Sequence, residues 1–564
     1  MTCLAPALAQ PRTAPLRAAA RRALLATLCL ASCVTPLPAQ QPTSTGLTVH
    51  GTVLNSATHQ PVAHALVTLD HLNQAILTDN QGRFSFADIP AGQQSLSCQR
   101  PGFAGLGNNS PIVRQEFTVA ADLPDLTLEL VPQSAITGEL VQPGDDSPDT
   151  LRVNLLHQQI QNGRATWQFL KSTTASSEGH FRFGNLQPGS YIVQVASSLD
   201  PAPAETGRLR YGYPPVFYPN AREMAGAGVL TLAPGQQAQA RLPLAREPFY
   251  PVRVPVNDPG EARGLSFQVN SDSFLGLPGR LFPSDGTVHL DLPIGHYTLQ
   301  ASGGNRSPLV GTREFDVHPR QQPGPNMPVT PIVVPPIALL QGSRIPVTVH
   351  ADFTHDARPD PETPRTALSQ IDLELEPLVG AMRRNRSRMQ DDPGSASTGI
   401  SYLVNVAPGR YWVHARPYEG YVASLTSAGD NLLEQPLTVA ADGSAPPVLV
   451  TLRDDNATIS ATLAASLQTA QSAQPLKQSI YLQLLPLSGT ASEMTSLFQP
   501  DGTPTVVRVA PGGYLAIASS TQQEIEYRNP KVMANLAARG QAVTVEPGGT
   551  AQVALSVLLD PGQP

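Results

Sequence analysis

Residues 78–92 of this chain read Thr-Asp-Asn-Gln-Gly-Arg-Phe-Ser-Phe-Ala-Asp-Ile-Pro-Ala-Gly. Gly82 ends a polar turn, where a glycine suits a positive φ angle. Phe84 and Phe86 alternate with polar residues, so a strand places both rings on one face. The closing proline and glycine end that strand, because proline lacks a ladder donor and glycine permits a reversal. The stretch therefore predicts a turn, a strand, a second turn and the start of another strand.

The same design occurs five times along the chain. Each copy has a turn glycine and, nine or ten residues later, a motif glycine that follows a proline directly or after one residue. The turn glycines are Gly82, Gly179, Gly286, Gly399 and Gly502, and the motif glycines are Gly92, Gly189, Gly295, Gly409 and Gly512. We expect the motif glycines to share a backbone conformation that a β-carbon would strain.

A motif tyrosine follows the motif glycine by two residues in the last four copies: Tyr191, Tyr297, Tyr411 and Tyr514. A tyrosine at this place is expected to pack its ring on a core and to bond its hydroxyl to nearby backbone. The first copy has Gln94 there instead, so the first unit must fill that position differently.

The chain is too long to form a single hydrophobic core and is expected to contain several domains. Each boundary is marked by an alternating strand that closes one unit, followed by a similar strand that opens the next. The sequence predicts an all-β protein, a tandem array of about five immunoglobulin/transthyretin-like β-sandwich domains after a signal segment. Joined by short linkers, these domains are expected to form an elongated rod. The expected units span residues 47–131, 132–246, 247–335, 336–453 and 454–564.

The first unit resembles a carboxypeptidase regulatory-like domain over residues 47–131, and the later units resemble it mainly through the glycine and tyrosine elements. The resemblance implies a transthyretin-like sandwich, classed among the carbohydrate-binding-like folds, in a bacterial exported multi-repeat protein. It also implies the non-catalytic companion module of zinc carboxypeptidases. The residues that carry it are Gly51-Thr52-Val53, Pro61–Val67, Thr78-Asp79, Gly82-Arg83-Phe84 and Ile89–Gly92.

Residues 1–33 are predicted to be a signal peptide, because Arg21-Arg22 precede a short apolar run that cannot span a bilayer. Leu30-Ala31-Ser32-Cys33 resembles the bacterial lipobox, whose cysteine is acylated, and this favours an outer-membrane or cell-surface lipoprotein. The alternative is cleavage near Ala39, which would give a periplasmic or secreted protein. Arg21-Arg22 matches a twin-arginine signal poorly. Residues 34–46 are expected to be a flexible linker.

Composition argues against a nucleic-acid partner and against an isopeptide crosslink in every unit. The formal charge is −7, and removal of residues 1–33 with their four arginines makes it −11, so no nucleic-acid partner is expected. The only lysines are Lys171, Lys477 and Lys531, too few for an isopeptide crosslink in every unit. Cys98 is the single cysteine after the signal and is expected to be a buried small hydrophobic residue.

The sequence predicts no enzyme, no cofactor and no metal site. No histidine has glutamate three residues on, and nucleophile-elbow and phosphate-loop motifs are absent. The first unit has four histidines, whose spacings fit no zinc pattern and favour exposed positions: His50, His59, His64 and His71. The basic run Arg383–Arg388 could attract anionic lipid or acidic polysaccharide, but it is interpreted as a charged surface loop.

Aromatic residues are candidates for ligand contact, since sugar-binding sandwiches stack rings on exposed aromatics. The candidates are Tyr211, Tyr213, Tyr218, Trp412 and Tyr421, whereas Tyr411 and Tyr418 can be explained as core residues. The leading hypothesis is a surface scaffold or adhesion protein with polysaccharide or other envelope or extracellular proteins as partners. The alternative is a carbohydrate-binding protein with a defined polysaccharide site on one or more sandwiches.

Overall fold

The structure of the chain is a computed structural model. It describes residues 46–105, 110–121, 123–141, 151–200, 209–257, 265–271, 274–282 (backbone only), 286–303, 309–318, 329–354, 367–378, 389–391, 400–464, 480–487, 493–499, 502–520 and 524–558. Outside the described residues lie the predicted signal with Cys33, the predicted linker up to residue 45, Gly399 and the run Arg383–Arg388.

The first sandwich packs two four-stranded sheets around one core. Its strands are β1 (Leu47–Asn55), β2 (Leu66–Leu69), β3 (Gln74–Leu77), β4 (Arg83–Ile89), β5 (Gly92–Gln99), β6 (Phe103–Ala104), β7 (Ile112–Val119) and β8 (Leu126–Pro132). The sheet orders are β4-β1-β8-β6 and β3-β2-β5-β7. Phe84 and Phe86 are 4% and 5% exposed on the inner face of β4, which confirms the prediction from their alternation.

The second sandwich has sheet orders β12-β9-β18 and β11-β10-β13-β16, with β17 paired to β13. Its strands are β9 (Ser134–Val141), β10 (Arg152–Gln161), β11 (Arg164–Thr174), β12 (His180–Leu186), β13 (Gly189–Val195), β14 (Ser198–Leu199), β15 (Arg210–Tyr213), β16 (Val216–Phe217), β17 (Leu230–Leu232) and β18 (Gln237–Pro243). A short 3-10 helix spans Met224–Gly226. Residues 142–150 and 201–208, between strands, lie outside the described part.

The third sandwich shares a sheet with the second. Its strands are β19 (Glu247–Pro255), β20 (Leu265–Ser271), β21 (Phe274–Phe282), β22 (Thr287–Leu292), β23 (Gly295–Gly303), β24 (Leu309–Val317), β25 (Ile332–Val333) and β26 (Leu340–Gln341). The order β14-β15-β19-β22-β21-β20-β23-β24-β26 runs without interruption, because β15 pairs with β19 and β21 pairs with both β22 and β20. Ile337 lies in the third core, beyond the expected boundary at residue 335.

The fourth sandwich has sheet orders β29-β30-β27-β35-β32-β33 and β28-β31-β34. Its strands are β27 (Ser343–Asp352), β28 (Ile371–Pro377), β29 (Met389–Asp391), β30 (Ile400–Val406), β31 (Gly409–Pro417), β32 (Tyr421–Ser427), β33 (Asp430–Asn431), β34 (Leu437–Val439) and β35 (Val448–Arg453). A 3-10 helix spans Ala367–Ser369, and its buried Ala367 packs into the core between the two sheets.

The fifth sandwich contains the α-helix α1 (Pro530–Ala537) besides its strands. The strands are β36 (Ala457–Leu463), β37 (Tyr481–Pro486), β38 (Met494–Leu497), β39 (Thr505–Val509), β40 (Gly512–Ser519), β41 (Gln541–Val545), β42 (Thr550–Leu555) and β43 (Val557–Leu558). They form the sheets β39-β36-β42 and β38-β37-β40-β41, with β43 paired to β40. The Asn529 side chain caps α1 by accepting from the Lys531 amide, and Pro530 begins the helix, where its missing N–H costs nothing.

One pairing scheme repeats in all five sandwiches. The opening strand is antiparallel to the strand before the motif glycine and parallel to a closing strand; the opening strands are β1, β9, β19, β27 and β36. The strand that begins at the motif glycine pairs instead with the second strand of the unit. In the first, second, fourth and fifth sandwiches the motif glycine therefore stands where the chain crosses from one sheet to the other, whereas in the third sandwich both flanking strands belong to one continuous sheet.

Each sandwich has its own apolar core. The five clusters lie within residues 49–130, 136–244, 250–337, 345–452 and 457–555. These cores and the repeated pairing confirm the predicted fold class, an all-β tandem array. In the described part of the chain, none of the helices has both the length and the apolar character that a membrane span requires.

Candidate functional site

The motif tyrosines act in the same way in four sandwiches. Their rings are 0–8% exposed, and each hydroxyl donates to the carbonyl four residues earlier. The pairs are Tyr191 with Gln187 at 2.8 Å, Tyr297 with Pro293 at 2.9 Å, Tyr411 with Ala407 at 2.8 Å and Tyr514 with Ala510 at 2.7 Å. Burial raises the pKa of Tyr191 and Tyr411 to about 12, so the hydroxyl remains a donor. The predicted ring packing and backbone bond are confirmed.

The backbone angle φ of the motif glycine is similar in four of the five copies. Gly92, Gly189, Gly409 and Gly512 have φ between +129° and +152°, which disfavours a residue with a β-carbon. Gly295 lies outside this range, so the expectation of five equivalent conformations is wrong for the third copy. The turn glycines Gly82, Gly179, Gly286 and Gly502 have φ of +63° to +80°, as predicted for Gly82.

Gln94 replaces the tyrosine in the first sandwich without reproducing its bond. Its side chain is 7% exposed in β5, opposite Phe117 of β7. The buried oxygen Oε1 has no hydrogen-bond partner among the described residues. The first sandwich therefore fills this position with a polar group that is less well satisfied than the tyrosine hydroxyls.

The three candidate aromatics of the second sandwich differ in exposure. Tyr213 is 6% exposed and belongs to the second core, and Tyr218 packs against that core. Tyr211 is 41% exposed on β15, and the Arg246 guanidinium lies 5.9 Å from its ring centroid. Tyr211 is thus the one of these three that presents an open ring.

The two candidates of the fourth sandwich are engaged by protein groups. The Tyr421 hydroxyl donates to Asp455 at 2.9 Å. The guanidinium of Arg164, from the second sandwich, lies 3.6 Å from the centroid of the Trp412 ring. One face of the only described tryptophan in this sandwich is therefore covered by a cation.

Tyr418 presents the most exposed tyrosine ring near a concave surface. It is 65% exposed, whereas Tyr411 is 8% exposed, so the core interpretation is right for Tyr411 and wrong for Tyr418. The ring lines a cleft of about 220 Å³ together with Phe353, Ser369, Gln370, Glu419 and Leu452. The Tyr418 amide donates to the Gln370 carbonyl at 3.0 Å, which fixes the strand end beside the 3-10 helix. The cleft combines one open aromatic face with amide, hydroxyl and carboxylate groups.

Three sandwiches meet at the turn between β10 and β11, which we call the hairpin tip (residues 161–164). Asn162 and Gly163 have φ of +50° and +72°, as a two-residue type I′ turn requires. An Asn-Gly pair between two alternating runs is a strong hairpin signal, and it is the sequence feature that could have located this turn.

Sequence reasoning also missed the partners of this turn. The Asn162 amide lies 2.9 Å from His414 Nδ1 in the fourth sandwich. In the fifth sandwich, the Arg528 amide donates to the Gly163 carbonyl at 3.0 Å. A straight rod would keep the second sandwich away from the fourth and fifth, so these contacts differ from the extended array expected from the sequence.

The groups considered for metal or redox chemistry are placed as predicted. His50, His59, His64 and His71 are all exposed. Cys98 is free and buried, and burial raises the pKa of its thiol to about 12. The described residues contain no group of three or more histidine, cysteine, aspartate or glutamate side chains that could hold a metal ion.

Comparisons with solved structures return several bacterial surface proteins, all of low identity. The Bacillus anthracis TIE protein is 11% identical with a TM-score of 0.17, covering 52% of this chain and 50% of its own. The minor pilin of Streptococcus agalactiae is 12% identical with a TM-score of 0.17, covering 35% and 95%. A streptococcal ancillary pilin is 11% identical with a TM-score of 0.18, covering 52% and 98%. At these TM-scores the matches carry no argument about function.

Comparison with curated proteins gives no match. Among protein families, residues 48–128 match the profile of the Carboxypeptidase regulatory-like domain. The matched residues begin in β1 and end in β8, so they cover both sheets of the first sandwich. Over these residues the first sandwich is therefore similar to the Carboxypeptidase regulatory-like domain.

Proposed function

We propose that this chain is an exported, non-catalytic protein of the cell envelope whose tandem sandwiches serve as a surface scaffold or adhesion module. The observation that carries the proposal is the repetition: five separately cored sandwiches follow one pairing scheme. Such an array offers a large, stable surface. Its partners would be polysaccharide or other envelope or extracellular proteins.

Attachment through an acylated Cys33 would hold this array at the membrane, with residues 34–46 as a spacer. Several acyl chains anchor durably at about 0.8 kcal/mol per buried methylene, whereas one chain is marginal. The proposal is tested by treating intact cells with protease and by immunoblotting the fractions. Surface exposure together with retention on immobilised envelope polysaccharide or protein supports it. The proposal is contradicted if the protein is confined to the cytoplasm, or if it is retained on neither the immobilised polysaccharide nor the immobilised envelope protein.

A second candidate function is carbohydrate binding at the cleft beside Tyr418. The supporting observation is the ring, 65% exposed, next to Gln370 and Glu419 in a concave surface. A pyranose ring can stack on an aromatic face while its hydroxyls bond to amide and carboxylate groups.

A glycan array on the mature protein separates the two functions. Binding that Tyr418→Ala abolishes would support a sugar site in the cleft. Tyr211→Ala is the matched control, because Tyr211 is also exposed, at 41%, but lies in the second sandwich. Equal loss in both variants, or no glycan binding by the unaltered protein, would contradict the sugar site and leave the scaffold hypothesis.

A further inference from the structure

The face of the fourth sandwich that carries Trp412, Glu376 and His414 contacts the turn between β10 and β11 of the second sandwich. Trp412 and Glu376 are register partners on β31 and β28, and His414 lies two residues further along β31. His414 Nε2 is 2.6 Å from Glu376 Oε2. Beside this face runs the clasp loop (residues 524–529), which leads into α1 of the fifth sandwich. We infer that this face and the clasp loop form a receptor for the chain's own Asn-Gly-Arg turn, which latches the second, fourth and fifth sandwiches together.

The shape of the turn fits this receptor. Gly163 presents no side chain, and the Tyr527 ring occupies the space where one would stand. A β-carbon at Gly163 would lie 2.5–2.6 Å from three atoms of that ring, a distance that real contacts do not reach. Tyr527 also packs on a small cluster around Leu536 of α1, so its ring is backed by the helix. The receptor thus selects a turn with glycine at this position.

Backbone bonds fix the turn on the clasp loop. Arg528 donates from its amide to the Gly163 carbonyl and from Nε to the Asn162 carbonyl at 3.1 Å. The same side chain donates from a terminal nitrogen to the Leu433 carbonyl of the fourth sandwich at 3.1 Å. Glu526 accepts from the Ala165 amide at 3.4 Å. Arg528, which lies in the fifth sandwich, therefore bonds to both the second and the fourth sandwich.

Charge complements the shape. The Arg164 guanidinium stacks on Trp412 and is attracted by Glu376. Burial, followed by repulsion from Arg528, lowers the pKa of Arg164 to about 10, which leaves it charged at neutral pH. When His414 is neutral with its proton on Nε2, it donates to Glu376 and accepts from Asn162. Each side chain of the turn thus has a partner of matching chemistry on the fourth sandwich.

The latch closes a loop of domains. The third sandwich is joined to the second by β15–β19 pairing, and Arg210 forms an ion pair with Asp291 at 2.7 Å across the same boundary. The chain then continues through the fourth sandwich, whose face receives the turn of the second. Opening the latch would leave the β15–β19 contact intact and free the fourth and fifth sandwiches to swing away. The change would be one of shape, not of fold.

Sedimentation velocity of the mature full-length chain tests the latch. Gly163→Ala should lower the sedimentation coefficient, because Tyr527 blocks the β-carbon and the domains separate. Gly548→Ala is the matched control: its φ is +66° against +72° for Gly163, and no atom lies within 4 Å of its β-carbon. It carries similar backbone strain without the collision, so its coefficient should not change.

Arg528→Ala provides a second variant that leaves the hairpin sequence intact. A lower coefficient in Gly163→Ala and Arg528→Ala, with circular dichroism unchanged, supports the latch. Coefficients equal to that of the unaltered chain in both variants would overturn it. A mass that rises with concentration in the unaltered chain and falls to monomer in Gly163→Ala would also overturn it, since the turn would then dock on another copy.

Discussion

The motif tyrosines allow the structure to be tested by removal of one oxygen atom. Tyr297→Phe keeps a ring that is 2% exposed but deletes the hydroxyl that donates to the Pro293 carbonyl at 2.9 Å. Pro293 is itself buried, so water cannot take the place of the lost donor. A buried acceptor left without a donor costs about 1–3 kcal/mol. The third sandwich should be destabilised by that amount.

Tyr514→Phe should cost less for a reason visible in the structure. Its hydroxyl donates to Ala510 at 2.7 Å, but Ala510 is half-buried and its carbonyl can bond to water. The expected loss is therefore the net value of one hydrogen bond, about 1 kcal/mol. The order of the two variants is itself a prediction.

Hydrogen exchange read by mass spectrometry measures both effects in the full chain, since peptides report on each sandwich separately. The slowest amides of the mutated sandwich should exchange about 5–150-fold faster, as about 1.4 kcal/mol corresponds to a factor of ten. Tyr418→Phe is the control, because that ring is 65% exposed. Unchanged exchange in Tyr297→Phe, or an equal change in all three variants, would refute the role given to the hydroxyl.

Four further outcomes are expected. Gln94→Tyr should stabilise the first sandwich by about 1 kcal/mol in a urea melt, because it replaces an unpartnered buried oxygen. Gly189→Ala should destabilise its sandwich by about 1–3 kcal/mol in the same assay, more than Gly92→Ala, since only the former meets a side chain, His157 at 2.8 Å. Burial, with a neighbouring carboxylate, raises the pKa of Glu493 from 4.5 to about 7. The folded state keeps that proton longer than the unfolded state, so stability should fall between about pH 4.5 and 7, and Glu493→Gln should flatten this slope in melts at successive pH values. Cys33→Ala should release the protein from the membrane fraction or block its processing, and an unmodified mature N-terminus near Gln40 by mass spectrometry would contradict the anchor.

Much of the fold could be predicted because its signals are local. Alternation placed Phe84 and Phe86 inside, and the two-residue spacing from glycine to tyrosine predicted the hydroxyl bond. Gly295 shows where such reasoning ends. Its motif is like the others, and the strand before it pairs regularly with the opening strand. The fifth copy pairs just as regularly, yet its Gly512 has a φ of +144°, so neither the motif nor the strand pairing sets this angle.

The candidate sites could be predicted far less well, because they depend on how whole domains face one another. The hairpin tip is readable as a turn from Asn162-Gly163, but its partner His414 is 252 residues away, and no periodicity links the two. Trp412 looks like an open ring in the sequence and is covered by Arg164 in the structure. Tyr418 stands seven residues after the buried Tyr411, and this odd spacing puts it on the opposite face of an extended strand, so alternation along β31 could have predicted its exposure.

Small-angle scattering of the mature chain tests the closed five-sandwich arrangement most directly. One compact body of this length would have a radius of gyration of about 24 Å. Five domains in a straight row, each with its own radius of gyration of about 13 Å, would together have a radius of gyration of roughly 50 Å. Separate sandwiches folded back by the hairpin tip predict an intermediate value of about 30–40 Å. A value near that of the straight row would contradict the closed arrangement, and a value near that of one compact body would contradict separate sandwiches.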